Sequence, residues 1–141
     1  FPPGAFLMKD LVTLLPMLDE LCVLQLTGSQ LLEALENGVS QHEEQAGRFP
    51  QVAGMSFAFD PKAEAGSRIS DVMVAGEPID LEKTYGAVSN NYVRNGGDGY
   101  AMFKDAENAY DFGPDLADVT AEYLAKSGSY KPYTDGRITM K

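Results

Sequence analysis

The sequence predicts one α+β domain, a mixed sheet with several helices, over residues 1–141. Three observations predict it. The chain has 141 residues, 44% of them hydrophobic, enough to bury a sizeable core without disulfide or metal staples. Apolar residues recur at helical spacing in some stretches and alternate at strand spacing in others. No repeat, low-complexity tract or linker divides the chain, and 23% charged with 10% aromatic residues is a globular mixture.

Residues 1–4 are Pro-rich and read as an extended start. Leu7, Leu11, Val12, Leu14 and Leu15 recur at helical spacing, and Pro16 ends that helix because it has no N–H to continue the ladder. The compact apolar run 21–26 has strand length. Thr27 is an N-cap with Gln30 three residues on, a capping box. The helix it opens carries Leu31, Leu32, Leu35 and Val39 on one face and ends near residues 38–40. Residues 41–47 are polar and form a surface loop.

From 52 to 59 the pattern alternates, with Met55, Phe57 and Phe59 on one side, a strand closed by Asp60-Pro61. Strands at 69–74 and 79–81 flank Ala75-Gly76-Glu77-Pro78, a hairpin. Residues 85–89 make another strand. Asp115 caps a last helix with Leu116, Val119, Tyr123 and Leu124 inward, and residues 136–140 form a closing edge strand.

Composition excludes several function classes. The net charge is −10, from 21 acidic against 11 basic residues, so the surface repels nucleic-acid phosphates and anionic lipid. No apolar run approaches ~18 residues, so no transmembrane segment is expected. The single cysteine, Cys22, forbids an internal disulfide or a Cys-based zinc site and reads as a small buried hydrophobe. The single histidine, His42, lies in a polar stretch and reads as a solvated loop residue. No His-based triad and no metal-ligand spacing is present, so no cofactor is expected in these residues. Phe1 in place of an initiator methionine leads us to expect a fragment of something longer, one that hydrolyses nothing alone.

The most unusual local feature is Asn95-Gly96-Gly97-Asp98-Gly99-Tyr100. Three glycines around an aspartate permit left-handed torsions and close backbone approach, as a ligand-wrapping loop or a plain tight turn requires. It is neither a dinucleotide fingerprint nor a phosphate-binding Walker loop. With Tyr92 and Tyr100 beside it, the loop suits a ring stacked on Tyr92 with hydroxyls bonded to Asp98.

Four blocks, in order, resemble the C-terminal, substrate-binding domain of the 5′-nucleotidase and UDP-sugar hydrolase family. The first is Asp10-Leu11-Val12-Thr13-Leu14-Leu15-Pro16 with Leu26-Thr27-Gly28-Ser29-Gln30-Leu31-Leu32 after it. Gly47-Arg48-Phe49-Pro50-Gln51-Val52-Ala53-Gly54 comes second. Lys83-Thr84-Tyr85, running on to Asn91-Tyr92 and Gly96-Gly97-Asp98-Gly99-Tyr100, is third, and Asp135-Gly136-Arg137-Ile138 is last.

The resemblance implies a hydrolase in which an N-terminal metallophosphoesterase domain, outside these residues, holds two divalent metal ions and cleaves the phosphate. That domain is the partner expected in cis. The C-terminal domain then binds the nucleoside or sugar part of a small phosphate ester and no nucleic-acid polymer, in a periplasmic or secreted protein. Tyr92 falls where the family places one of two base-stacking rings, Asp98 on the acceptor of the ribose hydroxyls, and Gly47 on a loop glycine near the base. Met17 and Asp19 stand where the family has its other ring and an amide that bonds the base. Met17 reads either as a thioether wall against the base or as a core plug after Pro16. The rival expectation is a non-catalytic interaction or adhesion module of the same fold with a degenerate pocket.

Overall fold

The computed structural model describes residues 2–141, so Phe1 lies outside them. Residues 2–4 join no helix or strand. Helix α1 (Met8–Leu14) ends where Pro16 requires and packs on α4 (Leu116–Ser127), burying Leu11. Strand β1 (Leu21–Thr27) leads directly into α2 (Gly28–Val39). The capping box at that junction is formed. Gln30 N–H donates to Thr27 Oγ1 at 3.2 Å, and Thr27 N–H donates to Gln30 Oε1 at 2.9 Å.

The remaining strands are β2 (Met55–Phe59), β3 (Ile69–Val74), β4 (Glu77–Pro78), β5 (Thr84–Asn90), β6 (Glu107–Tyr110) and β7 (Ile138–Met140). They form two sheets, where the sequence suggested one. An antiparallel sheet has the order β5-β1-β6, and a mixed sheet the order β4-β3-β2-β7, with β7 parallel to β2 as the expected edge strand. The two sheets are joined by α2, which buries a stripe on each. Leu31 and Ala34 meet Leu24, Leu26 and Tyr100, whereas Leu32, Leu35 and Val39 meet Phe57, Phe59 and Val72. A helix with one broad apolar face in sequence thus serves two cores. Gly28 must be glycine here, because a Cβ would stand 2.0 Å from the Asp80 carbonyl oxygen.

Three local expectations are corrected. The hairpin turns at Ala75-Gly76, both at positive φ, so the returning strand is Glu77–Pro78 and not 79–81. Tyr123 faces solvent beside Tyr130, while Leu116, Val119 and Leu124 are half-buried. His42 is no solvated loop residue. It lies in a short 3-10 turn, half-buried, with its ring 5.0 Å from Phe59 and 6.0 Å from Phe49.

Cys22 is fully buried as expected, and burial first, then Asp111, pushes its thiol up out of the reactive range. Arg68, also buried, is satisfied by the Val39 and Ala63 carbonyls and by an ion pair with Glu43.

Candidate functional site

The glycine-rich loop is held open by its neighbours, not by its own hydrogen bonds alone. Asn90 caps the short helix α3 (Asn91–Arg94) by accepting from the Val93 amide at 2.9 Å, and this turn presents Tyr92. The chain then passes through Gly96 at φ 85, Asp98 at φ 52 and Gly99 at φ 81. A left-handed aspartate costs about 1–2 kcal/mol, so the surroundings must enforce it. Asn37, from α2, does so by donating Nδ2 to the Asp98 carbonyl oxygen at 3.0 Å. Arg48 in turn orients Asn37, donating Nη1 to Asn37 Oδ1 at 3.2 Å. A Cβ at Gly99 would come within 2.7 Å of Asn37 Oδ1, so this support needs the glycine.

Tyr92 and Asp98 are brought together. The Tyr92 hydroxyl donates to Asp98 Oδ1 at 3.0 Å, and the ring lies so close to Gly97 that a Cβ there would stand 2.5 Å from it. Tyr92 is 52% exposed, which suits a ring open to stacking. Asp98 Oδ2 takes part in no hydrogen bond among the described residues, so the carboxylate keeps acceptor capacity.

Asp19 joins the same region. Its Oδ2 accepts from Asn90 Nδ2 at 3.1 Å, which ties the 17–19 segment to the start of the Tyr92 helix. Met17 is no core plug. It is 76% exposed, follows Pro16, and lines a groove of about 380 Å³ between α1 and the start of α4 together with Leu15, Asp19 and Leu116. Tyr92 and Asp98 do not line that groove. Gly47 sits in an exposed loop with room for a Cβ, and it reaches the site only through its neighbour Arg48. Asn37, Arg48 and Asn90 support the site without being visible in the loop motif. For Asn37 and Asn90 the only sequence signal is residue type, an amide near the end of an element, whereas Arg48 stands beside Gly47 in the second block of the resemblance.

Tyr100 closes the loop from below. It is 6% exposed, and its hydroxyl donates to the Arg48 carbonyl oxygen at 2.7 Å. Burial first, then the Asp98 charge, pushes this phenol from 10.0 up to about 12. Because the folded site holds the proton more tightly, this contribution to stability is complete below about pH 10 and is lost as pH rises towards about 12. Urea melts at about pH 8 and about pH 11 should therefore differ less for Tyr100→Phe than for the native chain. An identical alkaline loss in both would contradict the assignment.

Among the described residues, no three His, Cys, Asp or Glu side chains are grouped so as to share a metal ion. The resemblance places its metal pair in a domain outside these residues, so no step through a metal is derived for this chain.

By fold, this is a two-sheet α+β domain of the kind found at the C-terminal end of 5′-nucleotidases. The family described as 5′-nucleotidase, C-terminal domain, matches residues 1–105, and the chain belongs to it. The trifunctional nucleotide phosphoesterase protein YfkN of Bacillus subtilis is 35% identical over 96% of this chain, which spans 10% of that protein. The rat 5′-nucleotidase is 31% identical over 96% of this chain, which spans 25% of it. Among solved structures, the 5′-nucleotidase precursor of Thermus thermophilus superposes with a TM-score of 0.95 and 41% identity, over 99% of this chain and 29% of its own.

Proposed function

We propose that this domain recognises the organic part of a small phosphate monoester for a 5′-nucleotidase-type phosphoesterase, with hydrolysis done by a dimetal domain elsewhere in the same protein. The observation that carries the reading is the Tyr92–Asp98 pair. A half-exposed ring and a carboxylate with spare acceptor capacity are joined at 3.0 Å on a loop that Asn37 and Arg48 hold. Such a pair suits an aromatic base stacked on Tyr92 and vicinal hydroxyls bonded to Asp98. A charge-assisted bond of that kind is worth ~1.5–3 kcal/mol. Met17 supplies a polarizable thioether in place of a second ring, worth ~0.3–1.5 kcal/mol against an aromatic base. The ligand class is a nucleoside or sugar monophosphate. A triphosphate or a nucleic-acid strand fits poorly beside a net charge of −10.

No helix among the described residues is long and apolar enough to cross a membrane. The Thermus relative is described as a precursor, which agrees with a periplasmic or secreted parent.

The test is calorimetric. A ribonucleoside monophosphate should bind the full natural chain at least about tenfold more tightly than its 2′,3′-dideoxy analogue, and Asp98→Ala should erase the difference. Equal affinities for the two analogues would remove Asp98 from the site. One observation favours the second reading, a non-catalytic interaction module: Met17 and Leu18 are exposed beside an apolar groove, with no ring among the described residues lining it.

A further inference from the structure

Each of the two sheets ends in two edge strands, and a bare edge offers unpaired N–H and C=O groups to any strand that meets it. Three of the four edges are blunted. Strand β4 has two residues, Glu77 and Pro78, and proline cannot donate. Strand β7 has three residues between Arg137 and Lys141, with Lys141 paired to Asp71. Strand β6 is four residues long, carries Glu107 and is broken by the left-handed Asn108 where its register shifts.

Strand β5 has none of these protections. Its seven residues, Thr84-Tyr85-Gly86-Ala87-Val88-Ser89-Asn90, include no charge and no proline, and they pair with β1 without a register shift. Two flanking bonds fix which main-chain groups face away. Asn91 N–H donates to the Glu20 carbonyl oxygen at 3.0 Å and Gly28 N–H to that of Lys83 at 2.9 Å, so residues 83 and 91 turn to β1. Antiparallel pairs alternate, so residues 85, 87 and 89 also turn to β1 while Thr84, Gly86 and Val88 turn outward. All three are exposed, and no described residue hydrogen-bonds to their main-chain groups.

We propose that this edge is taken by a strand from the segment of the parent chain just upstream of Phe1, running parallel to β5. Three observations choose that occupant. The chain spans 10–29% of the relatives it matches and belongs to a family described as a C-terminal domain, so those longer proteins carry chain ahead of such a domain. The second is where α1 begins. Met8 lines the same groove as Asp19, and Asp19 accepts from Asn90, the last residue of β5. A strand that hands over to α1 thus finishes at the Asn90 end and runs with β5. The third is charge. A second copy would set two chains of net charge −10 against each other, whereas a strand of the same chain arrives at high effective concentration.

The added strand makes β5 a central strand, so Asn90 caps the Tyr92 helix from the interior of the sheet. The proposal needs a longer parent but not the nucleoside reading, and its test uses no ligand.

Hydrogen exchange of the full natural chain, resolved to single amides, is that test. The Gly86 and Val88 amides should exchange as slowly as Ala87, at least about a hundredfold slower than an unpaired amide, at every protein concentration. Gly86→Pro removes one outward N–H and should speed exchange at Val88 by about tenfold, the size of one lost hydrogen bond. Gly86→Ala keeps the N–H and has nothing within 4 Å of its Cβ, so exchange should stay within about threefold of native. A photoreactive benzoylphenylalanine in place of Thr84 should link to residues before Phe1. Fast exchange at Gly86 and Val88 in the native chain overturns the proposal, whatever the variants do. Protection lost on dilution assigns the edge to a second copy instead. A link to residues after Lys141, or only to a separate protein, also overturns it.

Discussion

Phe57→Ala should cost about 3–5 kcal/mol of stability, the usual range for deleting a buried ring. Phe57 is 2% exposed in β2, between the inner stripe of α2 and β3, where Leu35, Val39, Phe59 and Val72 close around it. The cavity can collapse little, because one of its walls, α2, is pinned by the opposite core as well. A domain of this size has about 5–15 kcal/mol in total, so the variant sits near the edge of folding. Val88, exposed on the outer side of β5, is the matched control, and Val88→Ala should move stability by no more than about 0.5 kcal/mol. Urea denaturation of the two variants checks this, and a Phe57→Ala cost under about 1 kcal/mol would mean that α2 does not bind the mixed sheet as described.

Tyr92→Ala should weaken binding of a nucleoside monophosphate by about tenfold or more. Stacking on one aromatic face is worth ~1–3 kcal/mol per base, and ~1.4 kcal/mol is a factor of ten. The substitution also frees Asp98 Oδ1, which now accepts from the Tyr92 hydroxyl. Stability should change little, since the ring is half exposed and Asn90 still caps the helix. Calorimetry for affinity and a thermal melt for stability separate the two effects. If Tyr92→Ala and Asp98→Ala both leave affinity unchanged, the site reading gives way to the interaction module.

Features written in neighbouring residues were legible in the sequence. The capping box of Thr27 and Gln30 spans three residues, and the compact apolar run 21–26 has the length of the strand that forms there, with Cys22, Leu24 and Leu26 buried. Strand β6 was not legible. Its only inward residue is Ala109, and Asn108 stands at φ 47 where the pairing with β1 shifts register between Val23 and Gln25. A bulge of that kind breaks the period-two pattern by which strands are found. The division into two sheets was hidden for a related reason. Leu31, Leu32, Ala34 and Leu35 look like one face until the strands on either side are in place.

The site divides the same way. Tyr92 and Asp98 lie six residues apart and announce themselves through the glycines between them. Asn37 supports Asp98 from 61 residues away, and Asn90 meets Asp19 across 71. No local pattern encodes such pairings, which exist only once β1, β5 and α2 have assembled. His42 shows the converse error. A polar stretch predicted solvent, but Phe49 and Phe59 fold over the ring.

The most direct test of the central claim is an amide chemical-shift map of the natural chain titrated with a ribonucleoside monophosphate. Saturable shifts are expected at Tyr92, across residues 96–100 and at Asp19, with the Arg48 loop moving alongside and the outer face of β5 silent. Shifts confined to the groove between α1 and α4, or none at saturating ligand, would contradict a nucleoside site built on Tyr92 and Asp98.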